Sequence, residues 1–552
     1  MPTDPRRAMA WLIVGTLALR LLWAATLEPS NDEAYHWLYT VHPALSYFDH
    51  PPMTAWVAQL GLALCGGWVH PLSLRLGFVL MFAGSTWMLY RWTARFFGGW
   101  AGVYAAVGLN LSAYYTAAGG AFALPDGPFL FFALLTYWQA SLALFGAALS
   151  PPPLAGGLGG RGNWELQSPS LLTPLPPGEG GISENKINIL NWLLVGVGFA
   201  GALLSKYHAV FLPAGVVVYV LITPGMRRVL WSPGPYLAVL IGAVGFLPVV
   251  IWNANHDWAS IRFQAGRAAG QTFQPLGVLV WAVGPVLYLL PGIWFALVRE
   301  AVPRVWRFGR VTGIERLLIC LFAVPLGFFL VVACRRADVL LHWNLIGFVP
   351  LYVLAGKRWA EWTVTNSKRA RFGLRFMAVG VLLLVVGSWL HIHFGLIRIP
   401  GKDPTDDIAG WKSVAAGLEA RGLLADPSRF LITNRWHDSG QLAFAVRNRL
   451  PVVCYNSIDA RGFAFWSQPE DWVGKSGYFV LVNNFDDERS KLDPTAPQEV
   501  EWVLKETRGF FRSVTLAAKF PMTRGGRPWR EVRVFQCDDQ LRPFPFTYTA
   551  TK

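Results

Sequence analysis

The sequence predicts an α-helical polytopic membrane protein, with about eleven transmembrane helices followed by a C-terminal extracytoplasmic α/β domain. Three observations carry that reading. Of 552 residues, 53% are hydrophobic and only 15% are charged, where soluble chains carry about 25% charged residues. Apolar runs long enough to cross a bilayer, roughly 20 residues each, recur through the first 399 residues and then stop. Basic residues collect between those runs: residues 1–399 hold 27 Lys and Arg against 14 Asp and Glu, whereas residues 400–552 hold 21 against 19. The net charge of +15 therefore reflects membrane topology and not a nucleic-acid surface. Disorder, a coiled coil and an ordinary cytosolic enzyme are excluded.

The apolar runs fall at residues 8–27, 72–92, 99–118, 127–147, 190–205, 208–224, 236–253, 275–298, 317–333, 343–356 and 376–394. Their basic flanks are Arg6/Arg7, Arg91/Arg95, Arg227/Arg228, Arg299 to Arg316 and Lys357 to Arg375. If every run crosses once, all these clusters share one side. The positive-inside rule makes that side cytoplasmic, with the N-terminus inside and the C-terminal domain outside. The first run reads as a retained helix, because Arg20 interrupts it and no small-x-small cleavage site follows. Residues 148–188, rich in Pro, Gly and Ser, cannot bury a core and read as a disordered cytoplasmic loop without function.

The chain divides into a membrane domain, 1–399, and an extracytoplasmic domain, 400–552. In the second, a helical stretch at 408–422 alternates with strand-like FLIT (430–433), LPVVCY (450–455), YFVLVNN (478–484) and REVRVFQC (530–537). No two of the five cysteines are spaced as metal ligands. Cys454 and Cys537 are equally consistent with a disulfide and with two buried thiols.

Polar chemistry concentrates on the outer side of this topology. All ten histidines lie there or at the membrane edge, and the cytoplasmic loops hold none. Ionisable groups near a bilayer are costly, so their gathering on one face points to a site. The first outer loop, residues 28–56, is the richest, with Asp32-Glu33 at its start and Asp49-His50-Pro51-Pro52 at its end. Adjacent residues on a helix do not share a face, so Asp32 and Glu33 have different tasks. The surrounding Trp and Tyr residues suit an interfacial amphipathic segment. Asp126, alone between two apolar runs, is either a second site acid or the N-cap of the following helix.

The run Asp32-Glu33-Ala34-Tyr35-His36-Trp37, followed by Tyr47-Phe48-Asp49-His50-Pro51-Pro52-Met53, resembles the first loop of polytopic GT-C-type lipid-linked-sugar glycosyltransferases. These include bacterial relatives of the protein O-mannosyltransferases (glycosyltransferase family 39) and the aminoarabinose transferase of lipid A. Leu124-Pro125-Asp126, Leu204-Ser205-Lys206-Tyr207 and the stretch from Trp252 through Arg262 to Arg267 extend the resemblance, as do Asp403-Pro404-Thr405 and Gly410-Trp411. Some relatives carry Lys-Pro-Pro where this chain has His50-Pro51-Pro52.

The resemblance implies a GT-C-like fold in the plasma (bacterial inner) membrane. It implies transfer of a sugar from a polyprenyl-phosphate donor to a lipid, glycan or protein acceptor on the outer face, with inversion. Asp32 is then the candidate base, Glu33 supports the loop, and Asp126 positions the acceptor or the base. Lys206, Arg262, Arg267 and His50 are candidates for the donor phosphate; for the three longer cations, snorkelling to lipid headgroups is the competing role. Tyr35, Asp49 and His342 are candidate substrate contacts, and a divalent metal ion at Glu33, Asp49 or His50 is conceivable. The partners are the lipid-linked donor, the acceptor and membrane lipids, with no nucleic acid. A transporter or flippase, the rival function, would place charge near the bilayer middle and commonly repeat its fold; here the acids cluster in loops and no repeat is found. A sensor would leave the loop carboxylates unexplained.

A reporter active only outside the cytoplasm should be active when fused after residue 400 and silent when fused within 148–188. Reversed activities would contradict the charge argument.

Overall fold

The computed structural model describes residues 4–146, 183–268, 272–311, 313–336, 340, 342–365, 367–397, 403–483, 505 and 507–546. The stretch 148–182 of the Pro/Gly/Ser-rich loop lies outside them. The helices of the membrane region are α1 (Pro5–Thr26), α2 (Asn31–Val41), α3 (Met53–Leu64), α4 (Pro71–Phe97), α5 (Gly99–Leu111), α6 (Ala113–Ala117), α7 (Asp126–Phe145), α8 (Ser183–Ser205), α9 (Phe211–Ile222), α10 (Pro233–Ala254), α11 (Ala259–Ala268), α12 (Pro275–Leu289), α13 (Pro291–Trp306), α14 (Gly313–Ala333), α15 (Leu351–Thr365) and α16 (Ser367–Phe394). Beyond them lie α17 (Trp411–Glu419), α18 (Trp436–Ala445) and strands β1 (Phe430–Thr433), β2 (Val452–Cys454), β3 (Gly477–Asn483), β4 (Phe511–Arg524) and β5 (Arg527–Gln540).

Among the described residues seven helices are long and apolar enough to cross a bilayer, and two bent helix pairs raise the number to nine. The runs at 99–118 and 343–356 are two that do not form a single long helix. The first breaks at Ser112, whose backbone is extended, so it yields α5 and the five-residue α6. The second opens as a 3-10 turn and becomes α-helical only at Leu351. At 13 and 15 residues, α5 and α15 taken alone are shorter than a full span, which the flanking α6 and 3-10 turn extend to residues 99–117 and 345–365. They pack on each other inside the bundle, with Gly108 facing Trp359 and Tyr352 and the Ser112 hydroxyl bonded to that of Tyr352.

The basic flanks do gather at one end. Pro5 packs on Gly99, and Lys357 lies over the Phe97 ring at 5.1 Å while pairing with Glu315 at 3.1 Å. Arg304 joins Glu315 and Glu300, and Arg358 also reaches Glu300. Helix α4 separates this end from the other. Phe97 is at the basic end, whereas His70, its N-cap, shares a crevice with Lys412 of the C-terminal domain. At 1.5 Å per residue the two ends are about 40 Å apart.

The first outer loop is not a surface segment. Ser30 and Glu33 form a capping box that starts α2, each satisfying an orphan backbone N–H at the helix start. Glu33 is fully buried and also accepts from Arg75 through both oxygens, at 2.7 and 2.8 Å, and from the Ala123 N–H at 2.8 Å. The other edge of the Arg75 guanidinium binds the carbonyls of Ala24, Leu27 and Glu28. One ion pair thus ties α1, α2, α4 and the segment before α7 together. Burial alone would raise the Glu33 carboxyl, but the Arg75 charge and hydrogen bonds hold it below its usual range. Tyr35, Trp37, Leu38 and Tyr39 of α2 are buried because α18 lies across it. Gly440 permits that crossing: a Cβ there would sit 2.9 Å from the Tyr35 nitrogen.

The five strands form one sheet of order β2-β1-β3-β5-β4, with β1 parallel to β2 and β3, and β5 antiparallel to β3 and β4. Four strands lie where the apolar alternation places them. The fifth, β4, went unforeseen, since its edge position leaves Ser513, Lys519 and Pro521 among its residues with little apolar alternation. Cys454 on β2 and Cys537 on β5 are free and buried, with β1 and β3 between their strands. The disulfide alternative therefore fails.

Arg75→Met should lower thermal stability in detergent at pH 7 by about 3–5 kcal/mol, since it leaves Glu33 a buried charge without its counterion. In the wild type the depressed Glu33 pKa contributes stability above about pH 4.3, lost as the pH falls through that unfolded value toward the folded one. The deficit of the variant should therefore shrink in acid. An unchanged melting temperature at pH 7 would contradict the assignment.

Candidate active site

A cavity of 580 Å³ opens where α2, the α6–α7 connection, the segment after α8, α12 and the C-terminal domain meet. Its polar wall includes Asp32, His36, His50, Asp126, Lys206, His208, Gln264, His342 and Arg461, with Tyr114, Tyr207, Tyr288, Trp343 and Trp436 among the aromatic groups. Few polar groups converging in an apolar concavity is the usual form of a small-molecule site.

Asp32 and Glu33 part company as their adjacency on a helix requires. Glu33 turns inward to Arg75. Asp32 is exposed on the cavity wall, and among the described residues no group hydrogen-bonds its carboxylate.

Asp126 does not cap α7, whose N-cap is Pro125 with no side-chain capping bond. Instead its carboxylate accepts from Lys206 Nζ at 2.6 Å and from the Tyr114 hydroxyl. The Lys206 side chain is one-tenth exposed, which places it in this pair and not at a lipid headgroup. His342 stacks on Tyr114 with ring centroids 5.6 Å apart.

The other end of the first loop is turned into the protein. Asp49 is buried and accepts from Tyr39 at 2.5 Å, Tyr35 at 3.2 Å and Arg461 at 3.2 Å. Tyr35 is itself buried and receives the Gly462 N–H at 2.9 Å. Both residues stand behind the cavity wall, not in it. Burial would raise the Asp49 carboxyl, but His50, Arg461 and the Tyr39 hydroxyl hold it low. Arg461 is correspondingly raised despite its burial, chiefly by Asp49 and Asp459. His50 does line the cavity, and burial pushes its pKa down to about 3 against the pull of Asp49. It is a neutral imidazole near pH 7, able to donate one hydrogen bond but not a full positive charge.

Arg262 is exposed and lies off the cavity wall, where Gln264 of the same helix stands instead, its amide bonded to the Asp49 carbonyl at 2.7 Å. The side chain of Arg267 lies outside the described residues. The metal that is conceivable from sequence at Glu33, Asp49 or His50 finds no ligand set among the described residues. Glu33 and Asp49 are already engaged, and among the described residues no three His, Cys, Asp or Glu side chains gather.

Several wall residues were missed. Arg461 and Trp436 come from the C-terminal domain, more than 400 positions from Asp32, and no local pattern marks them. The Arg461 guanidinium lies 4.2 Å from the Trp436 ring centroid, a cation–π contact. Tyr114 had a visible signal: the Tyr114-Tyr115 pair interrupts an otherwise apolar run.

The family model described as dolichyl-phosphate-mannose-protein mannosyltransferase matches residues 49–150 and 183–252. Lipid A galacturonosyltransferase RgtD of Rhizobium johnstonii is 25% identical over 473 residues, covering 80% of this chain and 84% of that protein. Among solved structures, ArnT from Cupriavidus metallidurans superposes in its apo state with a TM-score of 0.56 at 15% identity, over 96% of this chain and 98% of that one. The same protein bound to undecaprenyl phosphate also gives 0.56, over 97% and 98%; these are likenesses of fold. The chain is thus a polytopic membrane protein with the fold of ArnT, similar in sequence to a lipid A galacturonosyltransferase over most of its length and to the mannosyltransferase family model over about a third of it.

Proposed function

We propose that the protein transfers a sugar from a polyprenyl phosphate to a hydroxyl of a lipid acceptor on the outer membrane face, with inversion at the anomeric carbon. The observation that carries this reading is the Asp32 carboxylate, exposed to a cavity that also holds the Lys206 cation and without a hydrogen-bond partner among the described residues. Asp32 accepts the acceptor's proton as its oxygen attacks the anomeric carbon. The bond from that carbon to the phosphate oxygen breaks, and the electron pair leaves with polyprenyl phosphate. Phosphate is already a good leaving group, so stabilising its charge matters more than protonating it.

Lys206 supplies that charge. Its ammonium has three donors, one spent on Asp126. Asp126, itself fixed by the Tyr114 hydroxyl, holds the ammonium in place; the remaining donors serve the phosphate. Neutral His50 offers a further hydrogen bond in the same wall, where His342 also stands. The ArnT structure with undecaprenyl phosphate and the lipid A substrate in the name of RgtD favour a polyprenyl-phosphate donor and a lipid acceptor over a glycan or protein. The alignment of basic flanks at one end and this cavity at the other favours an extracytoplasmic site by the positive-inside rule.

Membranes given an undecaprenyl-phosphate sugar should release undecaprenyl phosphate. Asp32→Asn keeps size and polarity but cannot take the proton. Its turnover should fall about 10²–10⁴-fold, with donor binding largely kept. Normal turnover would reject Asp32 as the base, and activity in both Asp32→Asn and Asp126→Asn would reject the mechanism.

Lys206→Ala should weaken donor binding by about 1.5–3 kcal/mol and also destabilise the fold, since Asp126 loses its counterion. Adding Asp126→Asn should restore the fold without restoring donor affinity. Unchanged donor affinity in the double variant would remove Lys206 from the phosphate site.

A further inference from the structure

A second concavity, sharing no residue with the first, lies at the seam between the C-terminal domain and the start of α4. It measures 80 Å³ and is lined by His70, Lys412 and Arg447 together with apolar Val69, Trp411 and Phe444. One water needs roughly 10–15 Å³ on this measure, so a phosphate group fits. Lys412 and Arg447 are exposed, and neither makes an ion pair among the described residues. Glu28, the acid in the lining, spends its carboxylate on the N–H groups of Gly410 and Lys412 at 3.2 and 3.0 Å. The His70 Nδ1 accepts the Leu72 N–H at 3.1 Å, so its Nε2 carries the proton of the neutral ring and is a donor. The site is rich in donors and short of anions.

What stands beneath it identifies the occupant. Helix α3 runs antiparallel to α4 at close range: a Cβ on Gly61 would meet the Ser73 carbonyl, and one on Gly77 the Val57 carbonyl. That pairing brings the C-terminal end of α3 up beside His70. Trp56, Leu60 and Leu64 recur at intervals of four along α3 and are 44%, 55% and 60% exposed, forming an apolar stripe parallel to a membrane-spanning helix. At its top Trp68, half-exposed, stacks on His70 with centroids 4.1 Å apart, as aromatic side chains do at the headgroup level. An amphiphile seated here has its chain on the stripe and its head in the crevice. We propose that the seam binds the phosphate headgroup of an anionic membrane phospholipid through His70, Lys412 and Arg447, with an acyl chain along Trp56, Leu60 and Leu64. The lipid then bridges the C-terminal domain to the bilayer through a contact independent of the substrate cavity.

The test uses the full chain purified in detergent and titrated with phosphatidylglycerol, bound lipid being counted by native mass spectrometry. Phosphatidylglycerol should bind about tenfold more tightly than phosphatidylcholine, and Lys412→Gln/Arg447→Gln should erase that preference, each cation near a surface contributing appreciably to anionic-lipid attraction. Leu60→Gln should weaken both lipids alike. Excess inorganic phosphate should not displace the lipid. Equal phosphatidylglycerol affinity in the wild type and the double variant would overturn the proposal, and so would displacement by inorganic phosphate, which would make this a site for a soluble oxyanion. Both substituted cations are exposed, and melting temperatures matching the wild type confirm that the variants fold.

Discussion

The ion pair of Glu33 with Arg75 is the constraint on which the rest of the outer end depends. A carboxylate and a guanidinium buried this deeply are stable only when their remaining hydrogen-bonding capacity is met, and here it is met by backbone groups from Ser30, Ala123, Ala24, Leu27 and Glu28. Apart from Ala24 in the last turn of α1, those backbone groups belong to the segments that connect the helices. The pair thereby sets the rotation of α2 about its axis. With Glu33 turned into the protein, Asp32, one position earlier and about 100° away, has to face the cavity.

The same geometry explains why the C-terminal domain is more than an appendage. Helix α18 covers the aromatic face of α2, and the Gln441 amide reaches the Pro29 carbonyl at 2.9 Å. Arg461 holds Asp49 from the far side, with its own backbone in the left-handed region at φ 48°. Such strain in a non-glycine residue persists only where surrounding contacts over-determine it. The domain's attachment to α16 is equally specific. Arg524 binds the carbonyls of His391 and Ile392 and the carboxylates of Asp403 and Asp406, which accounts physically for the Asp403-Pro404-Thr405 motif. The cavity is therefore a joint product of membrane helices and a domain that follows them in sequence.

Much of this was legible in the sequence, and the limits were physical. Long apolar runs declare themselves by composition, which is why α1, α4, α7, α10 and α14 fall where expected. Helices α5 and α15 declare the same composition, but the breaks at Ser112 and Leu351 that shorten them are not marked by composition. Asp32, Asp126 and Lys206 stood out because charge next to apolar runs is costly. Their pairing did not, since Lys206 and Asp126 are 80 positions apart. Asp49 and Tyr35 looked like substrate contacts because polarity near a site reads alike whether it faces the ligand or supports the wall. The capping box of Ser30 with Glu33 was the one local signal that could have separated the two neighbouring acids.

The central claim is that the cavity places a lipid phosphate against Lys206 while leaving the Asp32 carboxylate open to the acceptor. The most direct measurement is a cryo-electron-microscopy map of the full chain with undecaprenyl phosphate bound. The account predicts phosphate density within hydrogen-bond distance of the Lys206 ammonium, with Asp126 still its partner and Asp32 unbonded across the site. Phosphate density elsewhere, or an Asp32 carboxylate locked into an internal ion pair, would contradict it.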